Sequence, residues 1–266
     1  MKKSIQFQGK NIIYNLSGKG PALVLLHGFI ESKRIWDDFT ETLCKQFTVI
    51  AVDLPGHGES SLVAETHSMQ LMAEAVKAVL QAEKIESAVI AGHSMGGYVA
   101  LQFAVDNTEL VKGLVLFHSH AAADSEETKV NRRRTIQIVR QNRGGFIKQF
   151  IPDLFDPDHV AEYNDAIADL QDQAALMAPE AIIAALQGMR DRSDRMQYLE
   201  LTRIPVLFII GKRDSRMPSN LLLAQAAIPS HSETLLLEGV GHMGFIEAPE
   251  KTLNALKYFA LRCFEE

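Results

Sequence analysis

The sequence predicts an α/β protein with a mostly parallel central sheet, begun by an antiparallel hairpin and interrupted once by a block of helices. Two patterns predict the sheet. Short, continuous apolar runs recur along the chain, as strands buried on both faces require. Helix-length amphipathic stretches fall between them, as the crossovers of a parallel sheet require. The interruption shows as a section, residues 119–195, in which no buried strand pattern occurs and apolar residues take helical spacing.

In chain order, residues 5–7 and 12–16 are short strand patterns joined near Gly9, a residue suited to a hairpin turn. Residues 22–26 (A-L-V-L-L) are the first uninterrupted apolar run, ending at His27-Gly28. Residues 47–52 (F-T-V-I-A-V), 88–91 (A-V-I-A), 111–117 (V-K-G-L-V-L-F), 206–210 (V-L-F-I-I) and 234–237 (T-L-L-L) repeat that signature. Helical patterns occupy residues 69–82, 95–105, 219–227 and 250–264. Within the interrupting block, Ile136, Val139, Ile147 and Phe150 form one apolar face, and Ile182, Ile183, Leu186 and Met189 another. Pro152, Pro157 and Pro179 punctuate it. The expected division is therefore residues 1–118 and 196–266 as two parts of one core, with 119–195 as a helical cap over the sheet's C-terminal edge. No internal repeat or low-complexity tract is present.

Composition narrows the function classes. A 266-residue chain with 47% hydrophobic residues builds a sizeable core without disulfides or structural metals. The formal net charge of -6 gives no support to a nucleic-acid or anionic-membrane partner. Cys44 and Cys263 stand far apart with no Cys/His cluster around either, so both are expected as small apolar fillers in a reducing compartment. The two N-terminal lysines precede no apolar stretch of signal-peptide length, and no run suffices for a membrane span. The expectation is a cytoplasmic protein, a monomer or small homo-oligomer, acting on a small molecule.

The chemistry concentrates at Gly92-His93-Ser94-Met95-Gly96, a G-x-S-x-G pattern directly after an apolar run and directly before a helical one. A serine on a sharp strand-to-helix turn has its hydroxyl thrust out of the sheet, and glycines two positions either side keep neighbouring backbone from colliding. A glycine-rich turn with an exposed serine is the competing reading, and the strand-before, helix-after setting favours catalysis. The turn also sets the backbone N–H of Met95 and the positive end of the following helix beside a reacting carbonyl.

With that motif in place, the chain resembles the α/β-hydrolase superfamily. The likeness rests on four stretches occurring in order: His27-Gly28-Phe29; Asp53-Leu54-Pro55-Gly56-His57-Gly58-Glu59-Ser60; Gly92-His93-Ser94-Met95-Gly96-Gly97; and Gly241-His242. The resemblance implies an eight-stranded sheet with a helical cap inserted after strand six. It also implies that the serine's partners follow it in the order acid, then histidine, which discards His27, His57, His67 and His93. His242, in a glycine-flanked loop after the last strand pattern, is the expected base. His118, His120, His159 and His231 lack that setting, although His118 and His120 follow a strand and are candidates to line the pocket. Asp214, directly after residues 206–210, is the expected acid, preferred over Asp124. Its task would be to hold the imidazole tautomer and stabilise imidazolium as it forms. The Phe29 N–H is implied as the second oxyanion donor beside that of Met95, leaving both side chains free to shape the pocket.

Asp53 and His57 read as architectural, hydrogen-bonding locally. The glycine-rich turn is no phosphate loop, since no Gly-Lys-Ser/Thr follows. The Arg132-Arg133-Arg134 triplet reads as a solvated helix face rather than an anion site. The expected activity is hydrolysis of a small ester, lactone or similar acyl substrate by Ser94, Asp214 and His242, without metal or organic cofactor; serine at 94 argues against the aspartate-nucleophile and cysteine-nucleophile branches. Same-triad relatives that cleave carbon–carbon bonds, eliminate, or transfer acyl groups to peroxide stay open, as does a ligand-sensing relative that is no enzyme.

Overall fold

In the computed structural model, which describes residues 1–265, eight strands form one sheet: β1 (Lys2–Phe7), β2 (Lys10–Ser17), β3 (Ala22–Leu26), β4 (Thr48–Val52), β5 (Ala88–His93), β6 (Val111–Phe117), β7 (Val206–Gly211) and β8 (Ser232–Leu237). Their order across the sheet is β1-β2-β4-β3-β5-β6-β7-β8. The β1–β2 and β2–β4 pairings are antiparallel and every other pairing is parallel. Strand β3 sits at the centre, with Ala22 opposite Thr48 on one side and Ala88 on the other. Both β3 and β5 are buried along their whole length, which is why they read as unbroken apolar runs.

The helices are α1 (Asp37–Leu43), α2 (Met69–Ala82), α3 (Met95–Asp106), α4 (Glu126–Phe150), α5 (Asn164–Ala175), α6 (Pro179–Arg190), α7 (Met196–Leu201), α8 (Ser219–Ala226), α9 (Gly244–Glu247) and α10 (Pro249–Glu265), the last two following the final strand. Helix α2 starts where the Ser68 hydroxyl accepts the Leu71 N–H, and it buries Met72, Val76, Val79 and Leu80. Helix α3 packs on β5 and β6, and α10 on β6 and β7.

Helices α4 to α7 form an insertion between β6 and β7. Ile136, Val139 and Ile147 of α4 are buried, as are Ile182, Leu186 and Met189 of α6, while Phe150 and Ile183 are half-buried. Helix α4 is kinked at Asn142 (φ -151, ψ 73), whose side-chain oxygen accepts the Gly145 N–H.

Three features depart from the sequence reading. Strand β8 is not buried on both faces: it is an edge strand pairing only with β7, and Leu236 is exposed while only Leu237 is buried. Helix α1 lies where no helix was expected, anchored by Phe39 and Leu43 just after the buried Trp36. Cys263 packs in the core, but Cys44 is half-buried and its thiol meets the Glu41 carbonyl. No helix among the described residues is long and apolar enough to cross a membrane.

Candidate active site

Strand β5 ends at His93 and α3 begins at Met95, so Ser94 alone makes the turn. It does so at φ 50, ψ -115, a region L-residues enter only when the surroundings impose it. The turn is fixed on three sides: Ser94 N–H donates to the Phe117 carbonyl (2.9 Å), and the Ser94 carbonyl accepts from Gly97 N–H (2.9 Å) and the Ser119 hydroxyl (2.8 Å). A Cβ on Gly92 would stand 2.1 Å from the Gly96 oxygen, and one on Gly96 would stand 2.5 Å from the Leu26 oxygen. Both obstacles are backbone, so the elbow demands glycine at each position. Every other residue from 88 to 104 is buried; Ser94 is half-exposed.

Asp214 follows β7 and is buried. Its Oδ1 accepts the backbone N–H groups of Arg216 (2.8 Å) and Met217 (2.9 Å), and its Oδ2 accepts Nδ1–H of His242 (2.8 Å). Burial alone would raise its pKa, but His242 beside it and the imidazole hydrogen bonds outweigh that and hold the carboxyl well below the usual range. Because Asp214 only accepts, His242 carries its proton on Nδ1, which leaves Nε2 as the free base. The His242 N–H donates to the Leu154 carbonyl (2.6 Å), tying the loop after β8 to the insertion.

A second buried network, which no local pattern announces, adjoins the first. His93 Nε2–H donates to the His242 carbonyl (2.9 Å), and His93 Nδ1 lies 3.0 Å from Glu31 Oε2, which also accepts Gly28 N–H (2.6 Å). A carbonyl and a carboxylate oxygen both want a donor, so the ring carries protons on both nitrogens. Burial opposes that charge, but Glu31 outweighs it and raises the His93 pKa; burial likewise works against the Glu31 anion, and His93 holds its pKa down. This ion pair joins the Gly28–Phe29 loop to the His242 loop.

Ser94, His242 and Phe29 line one cavity of about 640 Å³. Its apolar wall includes Phe150, Leu154, Leu186 and Leu222; its polar wall includes Asp124, Thr128, Asn131 and Arg132. Phe29 N–H has no acceptor among the described residues, and Met95 N–H is among the unpaired donors that begin α3. The Met95 side chain corrects the sequence reading: it is fully buried rather than shaping the cavity.

The remaining candidates divide. His120 lines the cavity, its pKa lowered to about 4 by burial and by the Arg192 charge. His118 does not; it is buried with Nδ1 3.1 Å from Asp214 Oδ2. His57 donates Nδ1–H to the Pro55 carbonyl, a local and buried contact, whereas buried Asp53 accepts Glu59 N–H within its own loop and also the Lys33 ammonium from 20 positions away, so its bonding is not purely local. Arg133 and Arg134 are exposed, as a solvated face would have them, but Arg132 turns into the cavity wall and pairs with Asp124. Asp124 also pairs with the buried Arg192, whose guanidinium stacks 3.9 Å from the Tyr98 ring. Asp124 is thus the hub of a salt-bridge pair in the insertion. Among the described residues, His118, Asp214 and His242 alone group donor atoms as an ion would need, within 4.8 Å of one another. Their N···O separations are hydrogen-bond lengths, complete without an ion.

Residues 23–255 match the sequence profile described as the Alpha/beta hydrolase family. A pimeloyl-[acyl-carrier protein] methyl ester esterase of Aeromonas hydrophila is 29% identical over 250 residues, covering 91% of this chain and 96% of that protein. A thermophilic esterase from Thermogutta terrifontis, solved with malate bound, superposes with a TM-score of 0.93 at 29% identity, covering 99% of both chains. The enol-lactonase from Burkholderia xenovorans shares the fold, with a TM-score of 0.89 at 19% identity over 97% of this chain and 99% of that one.

Proposed function

The chain belongs to the alpha/beta hydrolase family, and from that premise we propose that it is a serine hydrolase cleaving a small carboxylic ester, lactone or similar acyl substrate through an acyl-enzyme. One observation carries the reading. The one residue from 88 to 104 that is not buried, Ser94, opens onto the cavity that His242 also lines, and His242 is oriented by a buried carboxylate.

Ser94 Oγ attacks the acyl carbon while His242 Nε2 takes the hydroxyl proton. Asp214 keeps the ring in the tautomer that makes Nε2 the base and stabilises the imidazolium without accepting its proton. The Phe29 and Met95 amides stabilise the oxyanion; in comparable sites each such donor supplies roughly 3–4 kcal/mol. The C–O bond breaks, the alcohol leaves with the proton from His242, and water attacks the acyl-enzyme as His242 takes a proton from it. The acid departs as that proton returns to Ser94 Oγ. None of these steps calls on a metal or organic cofactor. The helical insertion acts as a cap over the cavity, and the working partner is a small acyl substrate rather than nucleic acid or membrane. The ester class is supported by the names of the Aeromonas and Thermogutta relatives.

The test is a panel of short-chain chromogenic esters, lactones and vinylogous diketones, run with the parent and with Ser94→Ala. Ester or lactone turnover that disappears in the variant supports the reading. Turnover confined to the diketones would move the protein to carbon–carbon hydrolysis, and ester turnover that survives Ser94→Ala would remove Ser94 from its role.

A further inference from the structure

Asp214 Oδ2 receives two imidazoles, and the proposed reaction uses only one. His118 Nδ1 lies 3.1 Å from that oxygen and His242 Nδ1 lies 2.8 Å from it. His118 is completely buried at the end of β6, with its backbone at φ 48 and its N–H donated to the Ile209 carbonyl. Its Nε2 is buried without a hydrogen-bond partner. A Cβ on Gly244 would stand 2.4 Å from that nitrogen, so glycine there leaves the ring its place. An ionised Asp214 can only accept, so the His118 proton sits on Nδ1 and its second nitrogen is bare. Burial lowers the His118 pKa to about 4, further than Asp214 raises it, so the ring stays neutral through neutral pH.

From this geometry we infer that His118 is a positioning residue for the reaction proposed above: a second donor that pins the Asp214 carboxylate and shares its charge. Two backbone N–H groups hold Oδ1 and two imidazole N–H groups hold Oδ2, so both carboxylate oxygens are fixed in direction. The charge available to an imidazolium at His242 is correspondingly divided. Without His118, Asp214 would draw a proton onto His242 more strongly and the base would be blocked at a higher pH. The charged and titratable groups facing this pair are few. His93 approaches both rings, at 6.1 Å and 4.9 Å between centroids, and is itself compensated by Glu31; the Arg216 cation also interacts with Asp214 electrostatically.

The test exploits shape. In His118→Asn the side-chain Nδ2 falls where Nδ1 stands, and asparagine tolerates positive φ. His118→Leu keeps similar bulk and removes the donor. For the parent and both variants, kcat/KM for a chromogenic ester is measured against pH, with folding checked by circular dichroism. The Leu variant is expected to move the acid limb upward by about one pH unit, the scale of one hydrogen bond to a charged acceptor, and to lower the plateau about tenfold. The Asn variant is expected to keep the parent's acid limb. A purely structural role would depress activity at every pH without moving the limb, and a folded, reactive Leu variant with the parent's limb overturns the inference. Nitrogen-15 imidazole spectra of the parent test it independently of variant folding. His118 is expected as the Nδ1–H tautomer from pH 5.5 to 8, and a ring that titrates there overturns it. If instead Ser94→Ala retains full ester turnover, the reading of the reaction falls and the inference with it.

Discussion

Replacing Glu31 by glutamine removes the negative half of the buried pair beneath the active site while keeping the side chain's shape. The Glu31 side chain is 5% exposed and that of His93 is fully buried. Breaking such a pair from one side leaves an uncompensated charge, a cost of about 3–5 kcal/mol. The pH dependence follows from the directions of the shifts. His93 is raised above its ordinary 6.5, so its contribution is complete below that pH and is lost as pH rises through the folded value. Glu31 is lowered below its ordinary 4.5, so its contribution is complete above that pH and is lost as pH falls through the folded value. The pair therefore stabilises most between those two pH values. In the variant the buried His93 resists the proton that the unfolded chain accepts below about 6.5, so acid destabilises the variant specifically. Urea unfolding of both proteins at pH 5.5 and pH 8.5, followed by circular dichroism, measures the difference. The gap is expected near 3–5 kcal/mol at the lower pH and smaller at the higher one. A gap that is equal at both, or one below about 1 kcal/mol throughout, would refute the assignment of a charged His93.

Two further outcomes are expected. Gly92→Ala sets a Cβ 2.1 Å from the Gly96 oxygen, so the elbow must shift; overpacking of this kind costs about 1–3 kcal/mol, and an ångström's displacement of the serine lowers turnover about a hundredfold. Ester kinetics on the folded variant check this, and near-parent turnover would contradict the described elbow. Asp124→Asn leaves Arg132 and the buried Arg192 to face each other without their shared counter-ion; a loss of about 3–5 kcal/mol is expected. Thermal unfolding measures it, and an unchanged midpoint would contradict the pairing.

What the sequence made legible follows from what leaves a local trace. The central strands are buried on both faces, so their apolar runs mark them within a residue or two. The elbow at Ser94 is legible because its glycines are required within two residues of it. Asp214 and His242 needed the order of partners that the resemblance supplied, since no local spacing links them. The contacts that escaped are those between distant single residues: His93 meets Glu31 across 62 positions, His118 meets Asp214 across 96, and Arg192 meets Asp124 across 68. No periodicity encodes such meetings. Strand β8 departs from its pattern for a related reason, because an apolar triplet such as Leu235-Leu236-Leu237 does not reveal that no strand lies beyond it.

The central claim is that the oxygen of residue 94 is a nucleophile activated from the loop after β8. Intact-mass measurement after exposure to a fluorophosphonate addresses it most directly, with the parent, Ser94→Ala and His242→Ala compared. A single adduct on the parent, none on Ser94→Ala and greatly slowed labelling of a folded His242→Ala are expected. An unmodified parent, or an adduct that persists when Ser94 is gone, would contradict it.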